Sequence, residues 1–144
     1  MSTRWLNWNE HPLLDRSNPH SGLVQLCDRL AEVSCSQSDF GKFASLGLPQ
    51  IGTYFNVQWA GVAKRVPPWG VIAEHGIRSK FGLPVQFMDE VLDRDTAGFS
   101  DSQGNSVAAV PFAPGDHRVL CLTGGKFAEL QLPELLLVGK LFSH

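Results

Sequence analysis

Leu23, Leu26, Cys27, Leu30 and Ala31 recur at i, i+3, i+4, i+7 and i+8. That spacing gathers apolar side chains on one face of a helix. The helix is predicted to begin after the turn cluster Asn18-Pro19-His20-Ser21-Gly22 and to stop at Ser36-Gln37-Ser38-Asp39. Ser38 suits an N-cap, and Asp39 suits a first turn, where the helix dipole favours a carboxylate. A second helical stretch follows from Phe40 to Leu48. Pro49 is predicted to restart it, because proline fits a first helical turn. Ile51, Tyr54 and Phe55 extend its apolar face. Residues 1–20 show neither period and read as an irregular lead-in to one domain spanning residues 21–144.

From Val57 the period changes. Val57 to Lys64 reads as a strand, Val66-Pro67-Pro68 as a turn, and Trp69 to Glu74 as the hairpin partner. Pro84 opens a helix with Val85, Met88, Val91 and Leu92 on one side, and Glu90 reaches Arg94 at i, i+4. Gly98 to Asn105 reads as a loop with a short edge strand. Ser106 to Phe112 and His117 to Thr123 form a second hairpin around Pro114-Gly115-Asp116. Leu132-Pro133-Glu134 starts a last helix carrying Leu135, Leu136, Leu137, Val138, Leu141 and Phe142, apolar nearly all round. Hairpins joined by a helix imply an α+β domain with an antiparallel sheet and helices on its faces.

Composition narrows the class. The chain has 144 residues, 43% hydrophobic and 18% charged, enough to bury a core without metal or disulfide staples. The net charge is -2 and no basic stripe interleaves with aromatics, so direct nucleic-acid binding is not expected. No apolar run approaches a membrane span, and Met1 to Glu10 has no signal pattern. A cytoplasmic setting is expected. Cys27, Cys35 and Cys121 are an odd set. On one helix, Cys27 and Cys35 would lie about 12 Å apart along its axis, too far to bridge. Reduced thiols are expected.

Three stretches together resemble the GAF family. They are the strand pair WAGVAKRVPPWGVIAEHG, the strand-turn-strand SVAAVPFAPGDHRVLCLTG, and the segment KFAELQLPELLLVGKLFSH. With the leading helices they cover residues 22–144. The resemblance implies a central antiparallel sheet, with the first and last helices on one face and a ligand pocket on the other. It implies a sensory or regulatory domain that binds a small ligand or dimerises. The output module, such as a kinase, cyclase, phosphatase or transcription activator, would lie outside this chain. The apolar last helix points to a homodimer through the terminal helices, and a chain ending inside it reads as a piece of something larger.

No catalytic motif survives inspection, and no enzyme activity is expected. In the Walker-like LTGGKF, Leu120 stands at the first glycine's place and Phe127 at the Ser/Thr position. The calcium-loop start at Asp93 meets Ala97 and Gly104 where ligands are needed. Asp89, Glu90, Asp93 and Asp95 instead read as a solvated helix face. The histidines are scattered, and His117 and Cys121 on one strand would sit about 13 Å apart, so no metal is expected. No GxSxG elbow occurs. Covalent bilin attachment in the family uses a Cys-His pair that is absent here. Free methionine sulfoxide reductases of this fold use loop cysteines, whereas Cys27 reads as helical and Cys121 as mid-strand. A small cysteine-dependent redox enzyme and a ligand-free dimerisation module stand as alternatives. The candidate ligand set is Trp59, Trp69, Phe87 and Phe99, with Phe81 and Phe112 beside them and His75, Arg78 and Arg94 as polar anchors. Aromatics with a few polar groups are what ligand sites use. They also simply fill cores. No particular cofactor is indicated.

Overall fold

A computed structural model describes residues 2–6, 22–36, 39–66, 68–80, 82–102, 105–112, 116–125, 127 and 131–142. The elements are β1 (Ser2–Leu6), α1 (Gly22–Ser36), α2 (Phe40–Phe55), β2 (Trp59–Arg65), β3 (Trp69–Gly76), α3 (Val85–Arg94), β4 (Ala97–Ser102), β5 (Asn105–Pro111), β6 (Arg118–Thr123) and α4 (Leu132–Phe142). The strands form one antiparallel sheet in the order β1-β4-β5-β6-β2-β3.

Helices cover both faces unequally. Leu23, Leu26 and Leu30 of α1, Phe43, Leu48 and Ile51 of α2, and Leu135, Leu136 and Phe142 of α4 share one large core with Ala60, Val62, Val110, Leu120 and Leu122 of the sheet. On the other face lies a smaller core built from Trp59, Ala63, Ala109, Val119 and Cys121, closed by Met88 and Val91 of α3. The expected sheet with the first and last helices on one face is therefore present.

Several local expectations change. Residues 2–6 of the lead-in form an edge strand, paired with β4 from Ser2↔Asp101 to Leu6↔Ala97. This pairing makes β4 an interior strand rather than an edge. Residues 7–20, including the start of the turn cluster, lie outside the described residues. Helix α2 runs unbroken through Pro49. Pro49 has no N–H for the Ser45 carbonyl, yet Leu48, Ile51 and Phe55 on either side are fully buried and packing holds the helix together. Its N-cap is Asp39, whose carboxylate accepts from the Gly41 N–H at 2.9 Å, not Ser38. The apolar excess of α4 is also accounted for. α4 packs on β4, β5 and α1, and Leu135, Leu136, Val138 and Phe142 are fully buried. Most of the apolar surface of α4 is thus used inside the chain, while Leu137 and Leu141 stay partly exposed. Among the described residues no helix is long and apolar enough to cross a membrane.

Candidate functional site

The face under α3 is where the predicted site residues meet. Trp59 at the start of β2 is 1% exposed. Its indole lies back over Gly61, two residues along the strand, in space that any Cβ at Gly61 would enter. Trp5 does the same over Gly98 on this face, toward the opposite edge of the sheet, and stacks on Phe87 of α3, with centroids 5.8 Å apart at 21°. The Arg94 guanidinium sits 4.6 Å from the Trp5 ring centroid, a cation–π distance. Trp69 and Phe87 are half-buried on this same face.

Polar contacts join these rings to the sheet edge. Glu74 sits opposite Gly61 in the β2–β3 register. Its carboxylate accepts from the Trp59 Nε1–H at 2.9 Å and from Arg78 Nε and Nη2 at 2.7 and 2.8 Å. A second set ties α3 down. The Asp89 carboxylate accepts from the Trp69 Nε1–H at 3.0 Å and from Arg65 Nη1 at 3.3 Å, and Asp93 accepts from Arg65 at 2.9 Å. Asp89 and Asp93 are thus not merely a solvated helix face. Their spacing on α3 lets both reach one guanidinium from the end of β2. The predicted Glu90–Arg94 pair forms at 3.7 Å.

The Arg78 guanidinium, and after it the Trp59 N–H, lower the Glu74 pKa from its ordinary 4.5 to about 2. A depressed carboxylate stabilises the fold fully above its unfolded pKa, and the contribution is lost as pH falls through the folded one. The Trp59–Glu74 contact is therefore expected to survive below pH 4.5 and to fail near pH 2. The indole Nε1–H resonance of Trp59, followed by NMR through acid titration, should move with a midpoint near 2. A midpoint at the ordinary glutamate value contradicts the bidentate geometry.

Of the predicted set, Trp59, Trp69, Phe87, Arg78 and Arg94 are brought to this face or its rim. His75 and Phe99 are not. His75 pairs with Ala60 and packs against Gly52 of α2. Phe99 belongs to the large core, with its ring 5.9 Å from that of Phe127. Phe112 is there too, and Phe81 lies outside the described residues. Sequence reasoning missed Trp5, Met88, Arg65 and Glu74 as parts of this site. The Glu74–Arg78 spacing was the one available signal for the last. Two open clefts lie elsewhere, one of about 560 Å³ between α1 and α2 and one of about 530 Å³ between the start of α2 and Ile72 of β3.

The cysteines are free. Burial pushes the Cys121 thiol up to about 12 and raises Cys27 as well, with Asp28 and Glu134 adding to the latter. A thiol held protonated is a poor nucleophile, which speaks against the redox alternative. With a thiol-reactive dye, exposed Cys35 is expected to label first, Cys27 more slowly, and Cys121 only on unfolding. Rapid labelling of Cys121 in the folded protein contradicts its burial. Among the described residues no cluster of three metal-ligating side chains occurs.

No family model matches the sequence, and no curated protein matches it. Solved structures do match in fold. The A. aeolicus nlh2 GAF domain in an inactive state superposes with a TM-score of 0.68 at 10% identity, over 85% of this chain and 93% of that one. The GAF domain of the Acinetobacter phosphoenolpyruvate-protein phosphotransferase gives 0.67 at 14% identity, over 85% and 91%. A phycocyanobilin-bound GAF domain from a cyanobacterial phytochrome gives 0.61 at 12% identity, over 84% and 91%. The architecture is that of an α+β domain with a two-sided antiparallel sheet. More narrowly, it is the GAF fold.

Proposed function

We propose that this chain is a sensory or regulatory domain in which a small ligand is received between α3 and the sheet. Displacement of α3 would be the event passed to an output module. The observation that carries this reading is the asymmetry of the two cores. Among the described residues, three helices close the large one, whereas one ten-residue helix closes the small one. The polar ties of α3 run through side chains that are 28% (Arg65), 41% (Asp89) and 66% (Asp93) exposed. Ion pairs this exposed contribute only about 0.2–1 kcal/mol each. The bilin named with the phytochrome GAF domain is consistent with a fold that takes a ligand. Here Trp59, Trp69, Phe87 and Arg78 are the proposed contacts. Trp59 and Met88 fill the face, so the ligand enters by moving α3 rather than by dropping into an empty cavity.

A second reading rests on that same filling. With Trp59, Met88 and Val91 fully buried, the domain serves as a ligand-free structural or dimerisation module. Thermal unfolding across a panel of nucleotides, tetrapyrroles and small metabolites separates the two, with tryptophan fluorescence read in parallel. A ligand that raises Tm and shifts the fluorescence supports sensing. No shift with any compound, together with a dimer by light scattering, supports the structural module.

A further inference from the structure

The larger of the two open clefts lies between α1 and α2, on the side of the molecule away from α3. Its walls are two facing helical stripes. Gln25, Leu26 and Arg29 come from α1, and Leu46, Gln50 and Thr53 from α2, with Pro49 between them. The helices approach closely at Gly47, where a Cβ would meet the side chains of Leu30 and Phe142 at 3.0 and 2.9 Å. Along the same helix pair the cleft has a volume of about 560 Å³. Small-molecule sites span about 300–1,000 Å³.

The chemistry of the lining is one-sided. It contains no carboxylate, and Arg29 carries its sole formal charge. Among the described residues none forms an ion pair or hydrogen bond with Arg29, although Asp28 and Glu32 share its helix. The hydroxyl of Tyr54, at the cleft's end, is committed to Glu134 of α4 at 2.6 Å. Gln25, Gln50 and Thr53 add uncharged donors and acceptors around the cation. Leu26 supplies an apolar floor, and Leu46 is 50% exposed at the rim. A planar guanidinium with no partner among the described residues is suited to a carboxylate or phosphate, which it binds with two parallel hydrogen bonds.

We propose that this cleft binds a small molecule bearing one carboxylate or phosphate on an apolar body. The anionic group sits on Arg29, the amides and Thr53 take further polar atoms, and the body lies against Leu26, Leu46 and Pro49. The site is separate from the face under α3 and does not depend on ligand binding there.

The test is an NMR titration of the full chain with phenyl phosphate, benzoate and benzyl alcohol. At least one of the two anions is expected to give saturable amide shifts at Gln25, Arg29 and Gln50, with α3 unmoved, and benzyl alcohol none. Which anion binds more tightly identifies the headgroup. Arg29→Gln, at an exposed position, is expected to weaken binding by about tenfold or more. Leu46→Glu should do the same by repelling the anion. Circular dichroism of both variants should match the parent. The proposal is overturned if neither anion saturates, if benzyl alcohol binds as well, or if both variants retain parental affinity. Cleft shifts that instead follow protein concentration without any probe also overturn it, in favour of an interface between two copies.

Discussion

Replacing Trp59 with alanine is expected to cost about 3–5 kcal/mol of folding stability. The indole is 1% exposed and is the largest fully buried side chain among the described residues. It lies over Gly61 in the core that α3 closes, so no neighbouring side chain of its own strand can fill the space it leaves. Truncation also removes the Nε1–H donor to Glu74. Domains of this size have only about 5–15 kcal/mol of stability in total, so the loss would be a large share. Denaturant unfolding should show a much lower midpoint with an unchanged slope. Trp59→Phe, which keeps most of the apolar bulk and loses the N–H, should fall between the two. A loss below about 1 kcal/mol in Trp59→Ala, the level of an ordinary point substitution, contradicts the packing described for this face.

Gly76→Ala is expected to be the next most damaging change. Gly76 ends β3 with φ of +96°, a region that side chains with a Cβ rarely adopt. A Cβ there would also drive into the Gln58 carbonyl and lie 3.2 Å from the Trp59 Cα. Both obstacles are backbone and cannot rotate away. The Gln58 carbonyl already accepts from the Ile77 N–H at 2.9 Å, so relief means breaking the join between β2 and β3. Backbone strain alone costs about 1–3 kcal/mol, and the overlap adds to it. Gly70 is the control, since a Cβ there meets nothing within 4 Å. Thermal unfolding should show a clear drop in Tm for Gly76→Ala and little change for Gly70→Ala. Equal Tm values for the two would contradict the close approach at Gly76.

The sheet and most helices were legible because their periods are clean. Leu23, Leu26 and Leu30 mark α1 at helical spacing, and Arg118 to Thr123 alternates into two buried faces. β1 was not legible. Five residues, Ser-Thr-Arg-Trp-Leu, carry too few alternations to stand out, and their strand character comes from pairing with β4. Face assignment was the weaker part of the site. In β3, strict alternation from Trp69 puts His75 beside it. The structure instead shifts register between Val62 and Ala63, leaving Ile72 unpaired. That bulge reverses the parity, so Glu74 joins Trp69's face and His75 turns toward α2. In β4 the small Gly98, not the large Phe99, faces α3, because Trp5 from β1 fills the space above it. With β1 unseen, that exchange could not be anticipated. The last helix is apolar in the sequence itself, but its burial between the sheet and α1 depends on the tertiary arrangement.

On the proposed function, α3 is a lightly held cover over the smaller core and opens independently of the rest of the domain. Native-state hydrogen exchange tests this most directly, because it assigns an opening free energy to each element. The amides of Met88 to Leu92 are expected to open at a free energy below that of β5, β6 and α4. Arg65→Gln, which removes the tie to Asp89 and Asp93, should speed exchange in α3 and leave the other three elements unchanged. If α3 instead exchanges only with global unfolding, and Arg65→Gln leaves its protection where it was, the helix is a fixed part of the core and the claim is contradicted.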